Sequence, residues 1–304
     1  MRQVILLIGL LLFSGYGHTD SLPEQIQASS LYSRAQPVTV AELNGIDIAY
    51  TEAGGPDAPA VLMVMGLTAS HRLWGEDVIN GLVAAGYRVI VFDNRDTGDT
   101  SFVDELGTPV LWWELIKNAI GFDVSAPYSL SDMAADGIAV LDQLNIEQAH
   151  IVGASMGGMI AQVIAVEYPE RTRSLVSIMS TTGAPHLPEA DEQASDGLLG
   201  IAESEGDAAA RFHEMGIFPE AMPRQLMAII SAGDRSEQVA PISTPTLVLH
   251  GQDDTLLPPA HGEHTHEMIS GSKLVIYEEM GHNMPEAVVP ALVEEMVAHF
   301  QNAD

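Results

Sequence analysis

Apolar residues in this chain fall into short, nearly unbroken runs separated by longer stretches where they recur every three or four positions. The runs at Ala60–Met65, Arg88–Phe92, Ala149–Val152, Ser174–Met179, Thr246–Leu249 and Leu274–Tyr277 read as strands, and runs without polar alternation indicate strands covered on both faces. Trp74–Ala85, Leu130–Leu144, Met159–Glu167, Pro259–Ile269 and Glu286–Phe300 carry helical spacing; Gly86 stops the first, and Ser129 or Ser131 caps the second. Val38–Leu43 and Ile46–Thr51 flank Asn44-Gly45, a strong hairpin signal. Strands alternating with helices predict an α/β fold with a mostly parallel, doubly wound sheet. Sites in such sheets form at the carboxyl ends of the strands.

Two stretches interrupt the alternation. Val103–Pro127, with Trp112, Trp113 and Phe122, predicts a short helix near the site mouth. Residues 183–240, rich in Ala, Glu, Met and Pro, predict a short helical lid inserted between core segments 37–182 and 241–304. Arg95 and Asp96, after the fourth strand, are expected to tie down their loop. Trp112, Trp113, Phe122, Met215, Phe218 and Met222 either line a substrate pocket or pack the lid onto the core.

The chemistry concentrates at predicted strand ends. Gly153-Ala154-Ser155-Met156-Gly157 follows a strand and opens a helix, the context in which a G-x-S-x-G turn presents a nucleophilic serine. After the Thr246–Leu249 run comes His250-Gly251-Gln252-Asp253-Asp254, and after Leu274–Tyr277 comes Gly281-His282. A serine is a weak nucleophile until an imidazole takes its proton, and the imidazole needs a carboxylate to fix its tautomer. The order Ser155, Asp254, His282 supplies all three in the sequence used by serine hydrolases built on α/β sheets. Asp253 is the competing acid; motif position favours Asp254, with Asp253 as an exposed turn residue or a helix cap. A capping serine and a structural histidine are the bland alternatives for Ser155 and His282. His261, His264 and His266, with Glu263 and Glu267, resemble a metal cluster but lack the spacing of known zinc motifs, and read as a solvated helix face, so no metal is expected.

Composition narrows the classes. With 42 acidic and 12 basic residues the net charge is −30, which argues against nucleic-acid binding. The acidity fits either a solubilising surface or a salty or cold habitat. The absence of cysteine removes disulfides, thiol nucleophiles and thiolate metal sites. Met1-Arg2, the apolar run Val4–Phe13 and the small residues Gly15 and Gly17 predict a secretory signal over residues 1–18, either cleaved or kept as an anchor, followed by a polar linker over 19–36. That run is too short to span a bilayer, so no stable membrane span is expected, and the chain is expected to be exported, periplasmic or secreted.

Met65-Gly66-Leu67, Phe92–Gly98, Asp132–Asp136, Gly153–Gly158, His250–Pro258 and Gly281-His282 together resemble the α/β-hydrolase superfamily, and within it the small serine-esterase group that includes aclacinomycin methylesterase. The resemblance spans about Val38–Phe300. It implies Ser155 as nucleophile, Asp254 as acid and His282 as base. It implies an oxyanion hole from the Met156 amide and an amide of the turn after the third strand, Leu67 first and Gly66 second. Relatives often begin that turn His-Gly; here it is Met65-Gly66. The lid is shorter than usual for the group. The implied activity is hydrolysis of a small-molecule carboxylic ester through an acyl-enzyme, with no cofactor. The same triad supports lactonase, carbon–carbon bond hydrolase or cofactor-free perhydrolase chemistry, and a catalytically silent binding module is the non-enzyme alternative. Serine at the elbow argues against haloalkane dehalogenases and epoxide hydrolases, which place aspartate there.

Overall fold

The computed structural model describes residues 31–303. The expected signal over 1–18, and the linker as far as residue 30, lie outside the described residues. Eight strands form one sheet: β1 Thr39–Leu43, β2 Ile46–Ala53, β3 Ala60–Val64, β4 Arg88–Phe92, β5 Ala149–Ala154, β6 Thr172–Ile178, β7 Thr246–Gly251 and β8 Lys273–Tyr277. Their order is β1-β2-β4-β3-β5-β6-β7-β8. The pairs β1–β2 and β2–β4 are antiparallel and the rest parallel. Asn44 (φ 52°) and Gly45 (φ 81°) give the first hairpin the two left-handed residues its tight turn needs.

The helices are α1 Glu76–Ala84, α2 Leu111–Ala119, α3 Leu130–Gln143, α4 Met156–Glu167, α5 Glu192–Ala202, α6 Asp207–Met215, α7 Met222–Ala232, α8 Ser236–Val239, α9 Ala260–Met268 and α10 Val289–Ala303. Alternate side chains of each central strand enter opposite layers. Leu62, Val64, Ile90 and Phe92 pack with α3 and α4, whereas Val61, Met63, Val89 and Val91 pack with α1 and α10. This double coverage accounts for the unbroken apolar runs. Ser129, rather than Ser131, caps α3 in a reciprocal capping box with Asp132.

Three expectations change. The linker does not extend to residue 36: Tyr32 is 3% exposed, and its backbone exchanges hydrogen bonds with the Asn80 side chain of α1. The 103–127 stretch does contain a helix, α2, but it is turned inside out. Its one buried residue is Glu114, whose carboxylate accepts from Lys117 Nζ and the Ser125 amide at 2.7 Å each. Trp112 (64% exposed), Trp113 and Phe122 face solvent, so they neither line a pocket nor pack the core. Finally, between β6 and β7, helices α5 and α6 lie shallowly on the molecule, and α7 is the element that docks, burying Met222, Arg224, Gln225, Met227 and Ala228.

The loop after β4 is held as its charges suggested. Arg95 makes a two-pronged pair with Asp136, both contacts at 2.7 Å. Asp96 is paired from the far side by Arg224 of α7, at 2.8 and 2.9 Å, and also accepts from Tyr128 Oη at 2.6 Å. Among the described residues no helix is long and apolar enough to cross a membrane.

Candidate active site

β5 ends at Ala154, and α4 begins at Met156, so Ser155 alone makes the turn between them. It does so at φ 56°, ψ −121°, a conformation that costs an L-residue about 1–3 kcal/mol. The turn is enforced by its surroundings. The Ser155 amide donates to Ile178 O at 2.9 Å, and its carbonyl accepts from Gly158 and Met159, starting the helix. The flanking glycines are required by close approach: a Cβ on Gly157 would stand 2.0 Å from the Val64 carbonyl oxygen. Gly66, just past β3, abuts the serine, since a Cβ there would lie 3.1 Å from Ser155 Cβ and 3.6 Å from its Oγ.

The three side chains expected from distant parts of the chain meet. His282 Nε2 lies 2.9 Å from Ser155 Oγ, and His282 Nδ1 lies 2.8 Å from Asp254 Oδ2. A carboxylate only accepts, so Nδ1 carries the proton and Nε2 is left bare toward the serine hydroxyl. Asp254 is buried, and its Oδ1 accepts from the Leu256 and Leu257 amides at 3.0 and 2.8 Å. Burial pushes its pKa up, but hydrogen bonds from His250 and His282 outweigh burial and hold the carboxyl well below the usual range. It is therefore ionised at neutral pH. Asp253 is exposed, and its backbone amide donates to Met280 O. The arrangement can move a proton from a serine hydroxyl to an imidazole braced by a fixed anion.

The sequence did not single out His250. Its buried Nε2 lies 2.7 Å from Leu257 O and 3.4 Å from Asp254 Oδ2, so it donates to the carbonyl and leans on the acid. Its place in the same His-Gly-x-x-Asp stretch was the available signal.

Met156 opens α4, so its N–H is one of the four at the helix start that lack an intrahelical acceptor, at the positive end of the helix dipole. Gly66 and the half-buried Leu67 lie across from it in the turn after β3. That turn is closed by the Ala69 amide donating to Gly66 O at 3.2 Å, and its third residue, Thr68, has φ 61°. This is the type II form, which ordinarily takes glycine or asparagine there.

The histidine-rich helix α9 departs from the expected solvated face. His261 is buried, with Nδ1 2.7 Å from Thr181 Oγ1 and Nε2 2.8 Å from Pro188 O, and burial lowers its pKa. His264 pairs with Thr182, and His266 with Ser272. Each ring serves a separate contact to a neighbouring loop, and among the described residues no group of three or more ligating side chains is placed to hold a metal ion.

A covered parallel sheet with a serine on a strained strand–helix turn, met by His and Asp from later strand ends, defines a hydrolase of the α/β class. The family model described as alpha/beta hydrolase fold matches residues 59–214, and one described as TAP-like protein matches residues 230–303. The chain belongs to the α/β-hydrolase fold family. It is 28% identical over 296 residues to rhodomycin D methylesterase DnrP of Streptomyces peucetius, covering 82% of this chain and 93% of that protein. Among solved structures, a hydrolase from Pseudomonas aeruginosa PA01 superposes with a TM-score of 0.67 at 20% identity, covering 88% of this chain and 99% of that one. The enol-lactonase from Burkholderia xenovorans LB400 follows at 0.66 and 17%, covering 86% and 100%. At these identities the two structures establish the fold alone, a fold that hosts several hydrolytic chemistries.

Proposed function

We propose that this protein hydrolyses small-molecule carboxylic esters through an acyl-enzyme on Ser155. The observation that carries the reading is the continuous Ser155–His282–Asp254 contact, 2.9 Å and then 2.8 Å, with the acid ionised and fully hydrogen-bonded. Ser155 Oγ attacks the ester carbonyl while His282 Nε2 takes its proton. The carbonyl oxygen becomes an oxyanion between the Met156 and Leu67 amides, with Gly66 as the other donor in the turn. One such donor is worth about 3 kcal/mol of transition-state stabilisation. His282 then protonates the alcohol oxygen, the C–O bond breaks, and the acyl group stays on the serine. A water, deprotonated by His282, attacks the acyl carbonyl and releases the acid. Asp254 holds the Nδ1–H tautomer throughout and balances the imidazolium. Residues 183–240 act as the lid over the acyl and alcohol sites.

The methylesterase relative supports an ester of a small alcohol. The test is hydrolysis of p-nitrophenyl esters from acetate to palmitate, with Ser155→Ala alongside. The expected result is activity that peaks at short acyl chains and disappears in the variant. Equal turnover by Ser155→Ala would refute the assignment. No turnover of any ester, with Ser155 still labelled by a fluorophosphonate, would move the substrate to lactone, carbon–carbon or peracid chemistry on the same residues.

A further inference from the structure

Helix α2 presents its apolar face to solvent. Val110, Trp112, Trp113, Ile116, Ile120 and Phe122 are each between 46% and 66% exposed. Trp112, Ile116 and Ile120 follow one another at a spacing of four, and the Ile120 amide still donates to Ile116 O at 3.2 Å, so the three share one helix face. Trp113 flanks them, its ring 5.9 Å from that of Trp112. An ordinary surface helix turns such a stripe toward the core. Here the opposite face is pinned instead: Glu114 is buried, ion-paired with Lys117 at 2.7 Å and bonded to the Ser125 amide. Single apolar residues on a surface are ordinary, but a contiguous stripe marks a place where something binds. Two of the chain's three tryptophans lie in it, and the third, Trp74, is buried.

Charge selects the occupant. Residues 106–122 contain one acid and one base, Glu114 and Lys117, which cancel in their ion pair, whereas the whole chain carries −30. Acids return at the rim, where Glu105 and Asp123 are exposed. A second copy of the chain would bring another −30 against the first, and an anionic surface would meet the same repulsion. A lipid surface without net charge offers apolar depth and no such penalty. Tryptophan rings settle at the headgroup level of a bilayer, with aliphatic side chains just beneath. At nine residues α2 is too short to span a bilayer and would lie in the plane of the interface.

We propose that α2 and its flanks, Val110 to Phe122, dock on a zwitterionic lipid surface, with Trp112, Trp113, Ile116 and Ile120 set among the headgroups. None of these residues belongs to the Ser155–His282–Asp254 relay, so the docking surface stands or falls apart from the ester chemistry.

The experiment titrates the full chain with phosphatidylcholine vesicles and, separately, phosphatidylglycerol vesicles, and follows tryptophan emission. Residues 1–30 contain no tryptophan, so the emission reports α2 rather than the apolar run Val4–Phe13. The comparison is Ile116→Gln with Ile120→Gln, which keeps both reporters. Both positions are exposed, so the variant should fold, and circular dichroism checks that it does. With phosphatidylcholine the emission should move to shorter wavelength, because Trp112 and Trp113 leave water while Trp74 is already out of it. The double variant should need about 10-fold more lipid for the half-maximal shift, since two aliphatic side chains no longer enter the apolar layer. Phosphatidylglycerol should bind more weakly at low ionic strength, and the gap should close as salt screens the protein's charge. An emission unmoved by phosphatidylcholine, a half-maximal point unchanged in the folded variant, or a preference for phosphatidylglycerol at low salt would each overturn the proposal. A wild-type chain that sediments as a dimer, with a monomeric double variant, would assign the stripe to a second copy and overturn it too.

Discussion

Replacing Asp254 by asparagine tests the proton path at its best-defined point. The asparagine carbonyl would take the Oδ1 position and keep the Leu256 and Leu257 amides, now at 3.0 and 2.8 Å. The opposite rotamer would turn the NH2 group onto both amides and forfeit two hydrogen bonds of about 1 kcal/mol each, so the first orientation wins. Its NH2 then occupies the Oδ2 position, 2.8 Å from His282 Nδ1. Two donors cannot share that contact, and His282 must shift its proton to Nε2. The face 2.9 Å from Ser155 Oγ then carries a hydrogen and can no longer accept one. A wrong tautomer of this kind costs about 10⁴ in kcat in the serine-protease triad, about 5.5 kcal/mol of barrier. The assay is kcat on the best p-nitrophenyl ester, with Asp253→Asn as the control. An Asp254→Asn variant that keeps more than about a tenth of kcat, short of that barrier by over 4 kcal/mol, would refute the reasoning. So would an equal loss in Asp253→Asn. The pH dependence of stability has a fixed sign. The folded pKa of Asp254 is depressed, so the unfolded chain binds more protons in acid. Its stabilisation is complete above about pH 4 and fades as pH falls toward the folded value. The Tm gap between wild type and Asp254→Asn should narrow over that interval.

Two other substitutions test the scaffold. Ser155→Gly should abolish turnover yet raise stability by about 1 kcal/mol, because glycine adopts the strained elbow conformation freely; a lower Tm would count against strain at the elbow. Arg224→Met leaves the Asp96 carboxylate buried without its cation and should cost about 3–5 kcal/mol by denaturant unfolding, and a loss under about 1 kcal/mol would show that Tyr128 Oη and the Val103 amide, which donates to Asp96 Oδ1 at 2.9 Å, suffice.

The elements that were legible in the sequence owe their structure to near neighbours. Asn44-Gly45 sets its own hairpin, and the Gly-x-Ser-x-Gly stretch marks the strand–helix junction by itself, although Ile178 and Val64 enforce its geometry. The two partners of Ser155 were legible because each directly follows a strand whose apolar run is unmistakable. What was not legible depends on contacts between remote segments. The Thr68 amide donates to Gln225 Oε1 at 2.7 Å across 157 positions, and nothing local marks a glutamine in an amphipathic helix as the partner of a distant turn. Tyr32 sits in a polar stretch, and what buries it is remote: its backbone docks onto Asn80 and its ring packs edge-on against His71. Helix α2 defeats the usual rule because Glu114 turns inward to bind Lys117 and Ser125, sending the tryptophans out. His261 failed for a related reason: polar spacing suggested solvent, while an acceptor, the Pro188 carbonyl, and a donor, the Thr181 hydroxyl, awaited it inside.

The contact of Gly157 with the Val64 carbonyl has an evolutionary consequence. Where two main chains touch, no repacking of side chains can absorb a new methyl group, so the floor of this site is closed to gradual drift. Gly251 repeats the situation beneath the acid, where a Cβ would come within 2.1 Å of Met280 O. In the 183–240 insertion the constraint lapses: a Cβ on Gly197 or Gly200 would meet nothing within 4 Å. The backbone around Ser155 and Asp254 is thereby the part of this fold least free to vary, and change in side-chain size is left to the insertion.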